Sequence, residues 1–316
     1  MPMVRVGHGA SATRLHVDRE GSGEPMLWIT GFAISSEVFS PVISTYAAQF
    51  DCVRYDNRGA GRSSAPWRLT SVPELAGDAV RLLDALDLDS AHVYGLSMGG
   101  MVAQEMAIRF PDRVRALVLG GTSHGGPRQV LPSPRVAAAL TSRGASASVR
   151  ADLVGRAMFT DGFRQREPAL AASYLRLLGA HRASARGLVS HMAATTYHDT
   201  RARLGRIAAP TLVLHGRQDA LTPLGNAHQL AAGIPDVTLE VIEDAGHGYL
   251  LERADEAHRL LDRWFEARSP IPAGPPLSGL AARSEPLTRR LGLPMGMLRT
   301  ARSLTAVPGP TRRQEP

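Results

Sequence analysis

The run 91–107, AHVYGLSMGGMVAQEMA, constrains the fold more than any other stretch: a β-rich segment meets Gly-Leu-Ser-Met-Gly-Gly and passes at once into residues that favour helix. So tight a reversal leaves no room for side chains, and Gly95 and Gly99 stand where a Cβ would collide. Gly99, Ala103 and Ala107 are spaced by four, a small-residue face that lets the helix lie close on the strands. The turn strains the Ser97 backbone and pushes its hydroxyl out above the sheet. The helix N-terminus points at that serine, so the Met98 N–H can hold a developing oxyanion. With 31 glycines in the chain, Gly-x-Ser-x-Gly alone is poor evidence, and the alternative is a glycine-rich turn with an idle serine. The flanking strand and helix favour the reactive reading.

Elsewhere the hydrophobic period switches between two and 3.6. MVRVGHG, TRLHVDREG and PMLWITG read as opening strands, and FDCVRYD as a fourth, ended by NRGAGRSS. SVPELAGDAVRLLDAL predicts a helix behind a Ser71 cap. RVRALVLGG is a nearly continuous apolar strand, as expected where helices cover both faces of a parallel sheet. PTLVLHG and VTLEVIED follow as strands, with helices near LGNAHQLAAGI and over ADEAHRLLDRWFEA. The expected class is α/β, a mostly parallel central sheet with helices on both faces.

Between two of those strands, 122–208 carries no strand signal but four helical stretches, near 134–143, 148–159, 168–181 and 185–198. An all-helical insertion there would sit over the strand ends as a lid. The expected division is a core of 1–121 and 209–268, a helical lid (cap) insertion over 122–208, and a tail over 269–316.

Composition narrows the chemistry. All 36 basic residues are arginine, so a P-loop lysine and a Schiff-base lysine are excluded. The formal charge is +7, but 268–316 holds eight Arg against two Glu and carries +6 of it. The body is nearly neutral, and no nucleic-acid partner is expected. The proline-rich tail reads as largely disordered; its segment MGMLRTARSLTAV suits a short basic amphipathic helix on a partner or anionic lipid, against a plain solvated tail. No run is long enough for a membrane span, and the N-terminus lacks an apolar signal core. Cys52 is the only cysteine, set in a strand, and reads as an inert core thiol; these features favour the cytoplasm.

A serine nucleophile needs a base, and the base an orienting carboxylate, here in the order Ser, Asp or Glu, His. GRQDALTP places Asp219 in the loop after one strand, and EDAGHG places His247 in the loop after the next. Both fall at carboxyl ends of strands, the edge where open α/β sheets bind ligands.

TGF with SSEVF, DNRGAGRSS, GLSMGG, GRQDALTP and AGHG together resemble the α/β-hydrolase fold over roughly 10–267. Within it, YDNRGAGRSS and VYGLSMGGMVAQEMA are most similar to capped serine hydrolases of the 3-oxoadipate enol-lactonase-like and small-ester esterase kind. The resemblance implies Ser97 as nucleophile, Asp219 as acid and His247 as general base, with the backbone N–H groups of Phe32 and Met98 as oxyanion hole. It implies a small or medium ester or lactone substrate and no cofactor. One departure stands out: many relatives carry His-Gly before the oxyanion residue, and this chain has Thr30-Gly31, without that imidazole's support for the loop.

Several residues compete with these roles. Asp244 lies three residues before His247 and reads as a strand-end surface residue. Thr122 stands where some relatives carry the acid, which favours Asp219. His215 reads as a hydrogen-bonded structural histidine. His124 and Tyr197 are candidates for the substrate pocket, with His191 and His198 as further lid residues that could face substrate or simply pack. Arg58, Gly59 and Gly61 read as a tight loop framing the site, since Ser64 breaks the dinucleotide fingerprint. No metal-ligand spacing is present among the eleven histidines. C–C bond hydrolases and acyltransferases share this triad, and a non-hydrolytic lyase, cyclase or binding protein shares the fold; the motifs leave these open.

Overall fold

The central strands of the sheet are short and buried on both faces, and between them the chain returns to the sheet by helices. A computed structural model describes residues 3–9, 12–66, 68–141, 147–181 and 183–268; the expectations for 269–316 lie outside the described residues. Strands β1 (Met3–Val6), β2 (Thr13–Glu20), β3 (Glu24–Ile29), β4 (Phe50–Tyr55), β5 (Ala91–Leu96), β6 (Val114–Gly120), β7 (Thr211–Gly216) and β8 (Val237–Ile242) form one sheet in the order β1-β2-β4-β3-β5-β6-β7-β8. The first two pairings are antiparallel, and β4 through β8 run parallel. The sheet is therefore mostly parallel, as its apolar runs require.

Alternate side chains sort into two cores. Leu27, Ile29, Val93, Leu117 and Val213 meet helices α2 (Val72–Ala85), α3 (Met98–Arg109) and α9 (Gly225–Gly233) on one face. Trp28, Tyr94, Val118, Leu212 and Leu214 meet α1 (Ser40–Tyr46), α10 (Tyr249–Glu252) and α11 (Ala254–Glu266) on the other. Cys52 lies in this second core, where burial pushes its thiol up to about 12, an inert group. Ser71 caps α2 reciprocally with Glu74, as its position suggests.

Between β6 and β7 the chain builds α4 (Pro134–Thr141), α5 (Ala147–Met158), α6 (Asp161–Arg166), α7 (Pro168–Ala180) and α8 (Ala185–Thr196), with a 3-10 segment at Arg201–Arg206. Four match the expected helical stretches. Helix α6 has no counterpart among them, although Thr160 caps it by accepting from the Phe163 N–H at 3.2 Å. Helix α1 is likewise unexpected, because the β-branched residues of SPVISTY obscure it and tertiary burial decides it. Among the described residues, no helix is long and apolar enough to cross a membrane.

The chain passes from β3 to β4 on one side, then crosses to β5 on the other. The boundary between β3 and β5 is therefore the topological switch point, where a crevice opens at the strand ends. There α3 lies so close that a Cβ on Gly99 would sit 2.6 Å from the Thr30 carbonyl and closer still to that of Ile29. A Cβ on Gly95 would meet the Gly100 Cα at 2.7 Å.

Backbone cannot move aside as a flexible side chain can, so Gly99→Ala is expected to cost about 3 kcal/mol or more. Gly205→Ala, with nothing within 4 Å of its new Cβ, is the matched control and is expected to stay within about 0.5 kcal/mol. Urea unfolding of both variants checks the contrast.

Candidate active site

Ser97 sits at the β5–α3 turn with φ 57° and ψ −122°, a backbone conformation that a non-glycine residue holds only where its surroundings dictate it. The dictating contacts are visible. The Ser97 N–H donates to the Gly120 carbonyl at 2.8 Å, and the Ser97 carbonyl accepts from the Gly100 N–H at 2.9 Å and the Thr122 hydroxyl at 2.6 Å. Thr122, which in sequence registers only as an absent carboxylate, thus clamps the turn.

Asp219 follows β7 and His247 follows β8. Their loops touch because Gly216 lacks a side chain: a Cβ there would meet the Ala245 backbone carbon at 2.8 Å. His247 Nδ1 lies 2.7 Å from Asp219 Oδ2, both groups buried. The other oxygen, Oδ1, accepts from the backbone N–H groups of Leu221 and Thr222 at 2.9 and 2.7 Å, which fixes the carboxylate's orientation. Burial opposes a charge on His247, but the Asp219 charge and hydrogen bond outweigh it, and the imidazole pKa is raised above its ordinary value.

Ser97 and His247 face one cavity of about 510 Å³. Its walls include Gly31, Phe32, Ile34 and Leu96 from the core, Ala151, Val154 and Met158 from α5, and Tyr174, Leu175 and Leu178 from α7. A second cavity of about 210 Å³ also reaches Ser97, lined by Met98, Met101, Thr122, Gln129, Val130 and Thr195 among others. Phe32 and Met98 border this second space together. Among the described residues, neither backbone N–H has a protein acceptor. No group of three or more His, Cys, Asp or Glu side chains converges as a metal would require, again among the described residues.

The remaining candidates fall elsewhere. Tyr197 is corrected: it is 87% exposed and borders a surface groove with Leu69 and His198, not the cavity at Ser97. His124 is corrected likewise, being fully buried with Nε2 2.8 Å from Gln229 Oε1, and it lines neither cavity. His198 is buried, and burial lowers its pKa to about 4. Asp244 is exposed, with Arg253 at 3.7 Å. His215 is buried, donates from Nε2 to the Thr222 carbonyl at 2.7 Å, and lies 3.5 Å from Asp219. Gly61, at φ 54°, packs under the Asp56 carboxylate, which accepts from the Ser35 hydroxyl and the Ser36 and Arg62 N–H groups. The loop containing Arg58 is thus a frame, as read.

Sequence reasoning missed Glu252, whose carboxylate accepts from the Gly246 N–H at 2.7 Å and from Thr160, tying the His247 loop to the helical segment. Its place in the short helix α10 gives no periodic signal; only the fold brings the α5–α6 turn to it.

Comparison with known proteins agrees with this architecture. The alpha/beta hydrolase fold family matches residues 24–254. The poly(3-hydroxyalkanoate) depolymerase of Ectopseudomonas oleovorans is 31% identical over 245 residues, covering 77% of this chain and 84% of that protein. The 2-hydroxy-6-oxononadienedioate/2-hydroxy-6-oxononatrienedioate hydrolase of Paraburkholderia xenovorans is 30% identical, covering 82% and 92%. The crystal structure of the enol-lactonase from Burkholderia xenovorans superposes with a TM-score of 0.70 at 26% identity, over 80% of this chain and 96% of that one. The chain belongs to the alpha/beta hydrolase fold family, within its enol-lactonase and esterase group, and is a hydrolase.

Proposed function

We propose that the chain cleaves an uncharged carboxylic ester or lactone of small or medium size through an acyl-Ser97 intermediate. The observation that carries this reading is the Asp219–His247 pair opening onto the same apolar cavity as Ser97. Asp219 accepts from His247 Nδ1–H, leaving the Nε2 lone pair to take the Ser97 proton as Oγ attacks the substrate carbonyl. The developing oxyanion rests on the Phe32 and Met98 N–H groups. His247 then returns the proton to the leaving oxygen, and water, deprotonated by His247 in turn, releases the acid. The helices between β6 and β7 act as a lid, since α5 and α7 wall the larger cavity.

Charge favours a neutral substrate. Among the described residues lining the two cavities, His247 and Tyr174 are the ionisable side chains, and none is an arginine. A dioate, as in the name of the Paraburkholderia relative, would bury a carboxylate here without a cation, at a cost of several kcal/mol. Two cavities meeting at Ser97 give room for both halves of an ester.

The test is hydrolysis of p-nitrophenyl esters with a fluorophosphonate probe, wild type beside Ser97→Ala. Turnover and labelling are expected to disappear together; persistent turnover in Ser97→Ala overturns the mechanism. Acyl chains ending in a carboxylate are expected to react at least about 100-fold more slowly than methyl-ended chains of equal length.

The raised pKa of His247 sets the pH profile. The base must be neutral, so kcat/KM should rise with pH through a limb lying above about 6.5, the ordinary histidine value. In Asp219→Asn that limb is expected to move down while kcat falls by about 10⁴-fold. A pH–rate series on both proteins reads the two effects.

A further inference from the structure

Thr30 and Gly31 leave the loop after β3 without an imidazole of its own, yet one is supplied from elsewhere. His191 of α8 is fully buried, and its Nδ1 accepts from the Ala33 N–H at 3.0 Å. Its Nε2 lies 2.8 Å from the Arg58 carbonyl, which can only accept, so Nε2 carries the proton and Nδ1 the lone pair. The ring is thus neutral and fixed in one tautomer. Burial is the main influence on its pKa and lowers it, in keeping with that state.

Both ends of this bridge are anchored. Ala33 holds φ 57°, a left-handed conformation that needs external support in a non-glycine residue. Arg58 is locked by a buried two-pronged pair with Asp78 of α2, Nε to Oδ2 at 2.8 Å and Nη2 to Oδ1 at 2.7 Å. Helix α8 is seated by the same face, since Gly187 packs against the Gly59 backbone and Ser190 Oγ accepts from the Thr70 N–H at 2.8 Å. The residue before Ala33 is Phe32, whose N–H is the proposed oxyanion donor and whose ring meets His191 edge-on at 6.1 Å.

We propose that His191 is a positioning residue: by accepting from Ala33 N–H it fixes the Phe32–Ala33 peptide, and through Phe32 the preceding peptide whose N–H faces the oxyanion, so that the hole is complete only with α8 docked. This rests on the Ser97 reading above. His191 touches no reacting atom and lines neither cavity.

Three substitutions separate its two hydrogen bonds. His191→Asn keeps an acceptor at the level of Nδ1 and gives up the link to Arg58. His191→Gln keeps a donor at the level of Nε2 and gives up the acceptor for Ala33, and His191→Ala gives up both. With a p-nitrophenyl ester, His191→Gln and His191→Ala are expected to lose about 10- to 100-fold in kcat and in the rate of fluorophosphonate labelling, part of the effect of deleting an oxyanion donor outright. KM should change by less than about threefold, because the donor acts on the transition state. His191→Asn should retain kcat within about threefold. Ser190→Ala, which removes one hydrogen bond of α8 while both His191 bonds keep the helix docked, should leave kcat within about threefold.

Equal losses in the Asn and Gln variants, losses in Ser190→Ala as large, or losses that follow Tm would overturn the inference and leave Ser97 chemistry intact. A wild type that neither turns over nor labels overturns both. If the variants do not fold, nitrogen NMR of wild-type His191 decides: the Nε2–H tautomer is expected, and Nδ1–H rules the bridge out.

Discussion

The rest of the site depends on how closely α3 approaches the sheet at the β5 turn. With no Cβ at Gly95 or Gly99, helix and strand fold back at contact distance, and Ser97 is left in a conformation that its own side chain disfavours. That conformation is held by hydrogen bonds to Gly120, Gly100 and Thr122, two of which reach the neighbouring strand β6 and the residues just after it. The strain is thereby distributed over a rigid scaffold. A hydroxyl carried on such a turn cannot relax away from the crevice, which is what a nucleophile requires.

Parallel pairing does the assembling. Because β3, β5, β7 and β8 all point one way, the residues that follow them share an edge although they are separated widely in sequence. Short polar links then bring the loops into register: Asp219 is oriented by its own loop's N–H groups, and Glu252 holds Gly246 beside His247. Seven of the fifteen residues lining the larger cavity, by contrast, come from α5 and α7 between β6 and β7, so part of the wall that would select a substrate is carried apart from the candidate triad.

The fold and the three candidate residues Ser97, Asp219 and His247 were readable in the sequence because each leaves a local mark. An apolar strand runs into a small-residue turn, and GRQDALTP and EDAGHG each follow a strand. β5 and α3 accordingly lie on either side of the Ser97 turn. What could not be read depends on contacts across the fold. Tyr197 and His124 were assigned to the pocket by their place in the chain, but which way a helix end faces is decided by packing. His191 occupies an unremarkable position in SHMAATT, and its link to Ala33 spans 158 residues. The imidazole absent from the Thr30–Gly31 pair could be noticed in sequence; its replacement from α8 could be seen only in three dimensions.

The order of the strands also sets a timetable. β7 pairs with β6, yet roughly 90 residues of mostly helical chain separate Gly120 from Thr211. At about 5–20 residues per second of synthesis, β6 stands at the open edge of the growing sheet for about 5–20 s before its partner exists. An unpaired apolar edge is a template for aggregation, and β6 is buried along most of its length in the finished protein. The Ser97 turn is therefore made well before His247, and the proposed triad cannot assemble until the chain beyond the last strand has been made.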